Sequence, residues 1–245
     1  MADFVIRVGS RSACGVRANN EDRFVADSQH HVFLVADGMG GQELGEQASG
    51  LAAEIIPRVV QDQLAAQEDV SQVLQKALAE ANEAIVHAGR HQPVGRRMGT
   101  TAVLAVRKAD QVYVAGLGDS RAYLIRGDRV EQLTVDHSVA EALRANGTLT
   151  PEQARSSPWQ HVLYKFLGCA EMAEGADIRP FTPEAGDRLL LASDGLTNHI
   201  YEEDLRQGPL SHPDPQTWAD HLVSLALERG SKDNVTCVVV AFDRE

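Results

Sequence analysis

Short apolar runs set off by turn residues alternate along this chain with longer segments in which apolar residues recur at three- and four-residue spacing, so both strands and helices are expected. Ala2 to Gly9 alternates as a strand, and GVRANNEDRF, Gly15 to Phe24, reads as a polar loop returning to the core. Val32 to Val35, β-branched and aromatic without a polar break, has the form of an interior strand. The pattern is helical from Glu43 to about Val60. A second helix opens at Asp69, which with Gln72 makes a capping-box-like pair. Its Val70, Val73, Leu74, Ala77, Leu78, Ala81 and Ile85 share one face, which is expected to be core.

After a polar turn from Arg90 to Arg97, TTAVLAVR and QVYVAGLG read as strands joined at KAD, and RAYLIRGDRVEQLT folds back on itself at Gly127-Asp128. Asp136 to Leu167 changes character: helical pieces broken by NGTLTP and SSPW form a surface insertion, a flap over about 138–167. Strand resumes at Arg188 to Ala192, a helix follows Asp194, and GPLSHPDP reads as a loop. Thr217, with Asp220, caps a helix carrying Trp218, Leu222, Leu225 and Ala226 that stops at Gly230, and VTCVVVAF is the closing strand. Tight hairpins, two consecutive helices early and another late favour an α+β fold of antiparallel sheets between helices over a doubly wound parallel sheet.

At 245 residues, 43% hydrophobic and 24% charged, the chain suffices for one domain, residues 1–245, with a full core. Its net charge of −12 leaves no basic footprint for nucleic acid. Cys14, Cys169 and Cys237 lie far apart without C-x-x-C spacing, which argues against a disulfide framework or a thiolate zinc site and fits a reducing cytoplasm. MADFVIRVGSRSACG lacks the apolar stretch of a signal peptide, and no later run approaches membrane-spanning length, so no direct membrane insertion is expected. No long heptad pattern suggests assembly, and a monomer is expected.

The run Val32 to Val35 ends at once on Asp37 and the glycines Gly38, Gly40 and Gly41. A phosphate loop is one reading, but the G-x-G-x-x-G spacing and the P-loop lysine are both missing. A cation is the other, with glycines permitting close approach of its ligands. Asp119, Asp194 and Asp233 also stand at strand ends beside small residues, and Glu21 and Asp22 lie in the NNED loop. Each alone is most simply a turn former or cap. Together they are six acids that can converge, and converging carboxylates repel unless a metal lies between them. With no H-x-H or H-E-x-x-H pair and no suitably spaced cysteine, an all-oxygen site suits Mg²⁺ or Mn²⁺. Two such ions about 3.5–4 Å apart can bind a phosphoryl group and generate hydroxide from water.

RANNED, VADGMGG, GTTAVLA, GDSRAYLIR, LTVDHS, SDGL and DNVT stand in the order found in metal-dependent serine/threonine phosphatases of the 2C type, the PPM family. From about Gly15 to Val240 the chain resembles its compact bacterial members. The resemblance implies a four-layer α-β-β-α sandwich with two central, mainly antiparallel sheets and a site for two tightly bound Mn²⁺ or Mg²⁺ ions at one end. It implies hydrolysis of phosphoserine and phosphothreonine by a hydroxide bridging those ions, with phosphorylated proteins as substrates and a bacterial Ser/Thr kinase as the opposing enzyme. By the same resemblance Asp37 is the bridging ligand and Gly38 offers its carbonyl to the second ion. Asp194 and Asp233 complete the first, Glu21 and Asp22 hold water on the second, and Asp119 with Asp194 binds a weaker third. Arg17 matches the arginine that grips the substrate phosphate, as a bidentate guanidinium suits a dianion.

The chain also departs from the pattern. Met39 stands where animal members carry the histidine taken as general acid, and Ser157-Pro158 and Lys165 replace a His-Pro and an Arg in the flap of bacterial relatives. His137 of DHS reads as a structural histidine closing the turn before the flap. A pseudophosphatase that binds without hydrolysis is a second reading, ranked below because every expected ligand is present. An aspartyl-phosphate mechanism is a third, but its D-x-D is absent because Met39 follows Asp37 at the second place.

Overall fold

A computed structural model describes residues 4–41, 43–66, 69–90, 98–169 and 175–244. In chain order its first half runs β1 (Phe4–Ala13), β2 (Asp22–Asp27), β3 (Val32–Met39), α1 (Glu43–Ala65), α2 (Val70–Gly89), β4 (Gly99–Thr100), β5 (Ala102–Lys108) and β6 (Gln111–Leu117). The second half runs β7 (Arg121–Arg126), β8 (Arg129–Gln132), α3 (Val139–Ala145), α4 (Pro151–Arg155), β9 (Asp177–Phe181), β10 (Arg188–Ala192), α5 (Asp194–Thr197), α6 (Glu202–Ser211), α7 (Pro215–Glu228) and β11 (Val235–Arg244).

The order β1-β11-β10-β7-β8 makes one antiparallel sheet and β2-β3-β5-β6-β9 the other, with β4 paired to the end of β3. Side chains alternate across a strand, and β3 shows how the layers follow. Val32, Leu34 and Ala36 pack with α1 and α2, whereas Phe33 and Val35 meet Leu189, Leu191, Val238 and Val240 of the opposite sheet. The far face of that sheet, through Leu190, Cys237 and Val239, takes Trp218, Leu222 and Ala226 of α7. Three apolar interfaces thus separate four layers in the order α-β-β-α, as expected. The predicted α2 face is fully buried, and Asp69 caps it by accepting from the Gln72 N–H.

Several boundaries differ from the sequence reading. The α1 helix runs on past Val60 to Ala65 with Pro57 inside it, because Ile55, Ile56, Val59 and Val60 are all buried against the sheet and outweigh the one bond a proline removes. The cap of α7 is Asp214, whose carboxylate accepts from the Thr217 N–H at 2.9 Å, with Pro215 at the first helical position; Thr217 lies inside. The first four residues of GPLSHPDP belong to α6, where Gly208 lets the helix press on the Trp218 indole: a Cβ there would sit 2.1 Å from Nε1. The helix after Asp194 is a single turn, and the predicted loop through Phe24 already pairs as strand from Asp22. The first strand runs on to Ala13, held by a ladder to β11 along its whole length. Residues 91–97 of the predicted Arg90–Arg97 turn, and Ala2 and Asp3, lie outside the described residues.

Candidate metal centre

Strand register brings the acids together. At the end of the β2–β3 ladder Asp22 stands opposite Asp37. Asp194 opens α5 directly after β10, Asp233 precedes β11, and β10 and β11 are neighbours, so both reach the same end of the second sheet. The approach there is close: a Cβ on Gly195 would lie 2.0 Å from the Asn234 carbonyl oxygen and 3.2 Å from the Asp233 Cβ. Asp119 follows β6 through Gly118, a position with φ +96°.

The backbone around Asp37 is fixed on both sides. Its N–H donates to Thr101 Oγ1 at 2.9 Å, and its carbonyl accepts from the Thr100 hydroxyl and the Thr101 N–H, each at 2.9 Å. Thr101 in turn shares a 2.7 Å hydroxyl bond with Ser120, next to Asp119. Gly38 has no room for a side chain: a Cβ would be 2.1 Å from the Gly45 carbonyl oxygen and 2.6 Å from that of Glu21. The Glu21 carboxylate lies against Gly45 at the start of α1, the Glu21 carbonyl accepts from the Gly38 N–H at 3.2 Å, and the Ser49 hydroxyl donates to the same carbonyl at 2.5 Å.

These acids carry the electrostatic cost of their assembly. Asp22, 2% exposed, is pushed up to about 6, first by burial and then by Asp194 and Asp233, while hydrogen bonds from Thr236 and Ser193 oppose the shift. Its Oδ2 accepts from the Ser193 hydroxyl at 2.8 Å, but its buried Oδ1 has no hydrogen-bond partner among the described residues. Asp37 is held well above the usual carboxylate range by burial and by Asp22, Asp194, Asp119 and Asp233. Asp119 is pushed up to about 7 by burial, Asp194 and Asp136. A buried set of oxygens with an orphaned lone-pair donor fits a hard divalent cation. Arg17 reaches the cluster from outside, donating to Asp233 Oδ2 at 2.7 Å with its side chain 58% exposed.

All eight expected site residues therefore lie at one end of the sandwich. Three others join them to which the sequence reading assigns no role: Ser193 and Asn234 stand inside SDGL and DNVT beside the expected aspartates, and His161 has no local signal at all. His161, from the flap, places Nδ1 3.2 Å from Asp194 Oδ2, and Asp119, Asp194 and His161 offer ligand atoms within 4.8 Å of one another. The bond to Asp194 holds the His161 ring above its ordinary pKa. Ser193 leaves the α5 cap unmade and bonds Asp22 instead. Asn234 accepts from the Glu21 N–H at 2.8 Å and donates to the Cys14 and Asn19 carbonyls, each at 3.0 Å, tying down the loop that bears Arg17 and Glu21. Met39 ends β3 opposite Gly99, Ser157 turns the flap by accepting from the Trp159 N–H, and Lys165 is half-buried near His137. A cleft of about 1110 Å³ opens from Asp119, Asp194 and His161 between the flap and α6.

Residues 11–233 match the family model described as Protein phosphatase 2C. The chain is 34% identical over 231 residues to the "Serine/threonine phosphatase stp" of Listeria innocua, covering 92% of this chain and 91% of that protein. Among solved structures it resembles the Mycobacterium tuberculosis serine/threonine phosphatase PstP/Ppp, at a TM-score of 0.88 and 33% identity over 98% of this chain and 99% of that one. It also resembles a PstP catalytic domain in complex with two manganese ions, at a TM-score of 0.84 and 33% identity over 98% of this chain and all of that one.

Proposed function

The chain belongs to the protein phosphatase 2C family, and from that premise we propose that it is a Mn²⁺- or Mg²⁺-dependent phosphatase acting on phosphoserine and phosphothreonine of proteins, built as one catalytic domain with a flap over about 138–167. The observation that carries this reading is the buried carboxylate cluster: Asp22, Asp37 and Asp119 are all raised, and Asp22 keeps an orphaned oxygen. Such a set is stable in its ionised form only beside positive charge.

In this reading Asp37 serves two ions, with the Gly38 carbonyl for one. Asp194 and Asp233 would complete the other, while Glu21 and Asp22 would hold water on the ion that the Gly38 carbonyl serves. Asp119, Asp194 and His161 form a weaker third position. Divalent ions held there supply Lewis-acid polarisation of the phosphoryl oxygens and a nucleophile of hydroxide strength at neutral pH. Arg17 spends one nitrogen on Asp233 and keeps further N–H donors for a substrate phosphate. Thr100, Thr101 and Asn234 hold the backbone beneath these groups, so little reorganisation is left for the reacting complex.

A Ser/Thr kinase of the same cell is the proposed opposing enzyme, and a cytoplasmic monomer the proposed form. Among the described residues no helix is long and apolar enough to cross a membrane, and Cys14, Cys169 and Cys237 are free thiols, as a reducing compartment keeps them. The test is hydrolysis of p-nitrophenyl phosphate and of a phosphothreonine peptide in titrations of Mn²⁺ and Mg²⁺. Turnover of both is expected, abolished by EDTA and by Asp37→Asn. Retained turnover in Asp37→Asn would refute the assignment, and binding of phosphopeptide without turnover under either metal would replace it with the non-hydrolytic reading.

A further inference from the structure

His137 is 3% exposed and, among the described residues, bonds to Gly118, Asp177 and Tyr164 and not to an acid of the cluster, yet those bonds reach two separate parts of the site. Its backbone N–H donates to the Gly118 carbonyl at 2.8 Å, and its Nδ1 accepts from the Gly118 N–H at 3.1 Å, so backbone and ring grip one residue from both sides. Because Nδ1 accepts, the ring proton sits on Nε2, which faces Asp177 Oδ2 at 3.1 Å. On the flap side, the Tyr164 N–H donates to the His137 carbonyl at 3.0 Å, and the two rings meet edge to face with centroids 5.7 Å apart. Ser138 continues the tie, capping α3 and bridging to Leu163.

Both partners lead to the site. Gly118 precedes Asp119 and has little freedom of its own, since a Cβ there would lie 2.6 Å from Thr101 Cγ2, on the residue that holds the Asp37 N–H. Tyr164 lies three residues after His161, which contacts Asp194. We propose that His137 is a positioning residue that locks the flap to the turn bearing Asp119, so that Asp119 and the flap's His161 arrive together at Asp194. This rests on the reading of the site as a metal-dependent phosphatase centre. The lock needs the neutral ring, because a proton on Nδ1 would set two donors against each other. Burial is the main cause that holds the ring neutral; Lys165 assists, and Asp177 and Asp136 oppose.

The test uses the whole chain and two readouts. In Mn²⁺ titrations with p-nitrophenyl phosphate, His137→Gln, which leaves the Gly118 N–H without an acceptor, is expected to raise the Mn²⁺ needed for half-maximal turnover roughly tenfold, as loss of a partner that orients a metal ligand does. In EDTA the same variant should be cut by trypsin at Arg155 or Lys165 roughly tenfold faster than wild type, the factor given by losing about one hydrogen bond when cleavage follows the open population. His137→Asn, whose Oδ1 can accept from Gly118, should recover most of both. Should His137→Gln fail to fold, Asp177→Ala takes its place, at a side chain 71% exposed, with flap cleavage expected to rise several-fold. Wild-type metal dependence and wild-type flap cleavage in a folded His137→Gln, or unchanged cleavage in Asp177→Ala, overturn the proposal. Equal losses in His137→Asn and His137→Gln overturn it as well, since they mark the ring as packing alone. If the wild-type protein shows no turnover, the phosphatase reading fails while the trypsin comparison still decides the role of His137.

Discussion

Replacing Asp119 by asparagine should make the metal-free protein more stable at pH 8 and, with metal, a poorer enzyme. Burial, Asp194 and Asp136 hold the Asp119 carboxyl at about 7 instead of its ordinary 3.8. A carboxyl raised in the folded state favours folding while it is protonated; that contribution is fully present below about pH 4 and is lost as pH rises through about 7. The difference between 3.8 and about 7 is worth on the order of 4 kcal/mol at about 1.36 kcal/mol per pKa unit. In EDTA nearly all of it stands against the fold at pH 8, and about 2 kcal/mol at pH 5. Asparagine has no charge to bury, so Asp119→Asn should melt on the order of 10 °C above wild type at pH 8 in EDTA, with the gap roughly halved at pH 5. Asp22, held at about 6, adds to the slope but is not summed, because Asp194 raises both groups. Calorimetric melts at the two pH values decide the matter. Saturating Mn²⁺ should narrow or reverse the order by stabilising wild type through binding. An Asp119→Asn no more stable than wild type in EDTA at pH 8, or a gap that does not narrow at pH 5, would show that the Asp119 carboxylate costs the fold nothing.

Two further outcomes follow from the loop that carries Arg17. Asn234→Ala removes three hydrogen bonds to Cys14, Asn19 and Glu21 and should lower stability by about 2–4 kcal/mol in urea unfolding. It should also lower turnover of p-nitrophenyl phosphate in the protein that remains folded, since Arg17 and Glu21 lose their support. Arg17→Lys keeps the charge but not the fork of donors, and the KM for p-nitrophenyl phosphate should rise roughly tenfold while far-UV circular dichroism stays unchanged.

What could be read from the sequence was whatever has a local period or a local chemical contradiction. The α2 face repeats at helical spacing, and each of Asp37 and Asp194 breaks an apolar run with a charge followed by glycine. What escaped depends on distant partners. The β9 strand, DIRPF, is mostly exposed and carries Pro180, as an edge strand can, so it has no apolar run to announce it. Pro57 signals a helix end that burial against the sheet overrides. His161 lies in a segment without periodicity, and only the folding of the flap brings it to Asp194. Asn234 reads as one letter of a strand start, although its partners lie more than two hundred residues away.

That separation has a consequence for timing. The Arg17 loop is pinned by Asn234, and β1 is paired along its whole length with β11, so among the described strands β1 has no neighbour in its sheet ladder until β11, more than two hundred residues later, is made. During synthesis the sheet of β2, β3, β5 and β6 can form with α1 and α2 while Asp194 and Asp233 are still missing from the cluster. The two halves of the cluster are therefore joined late in chain order: the acids of the first sheet wait for Asp194, Asp233 and the docking of β11 before the site is whole.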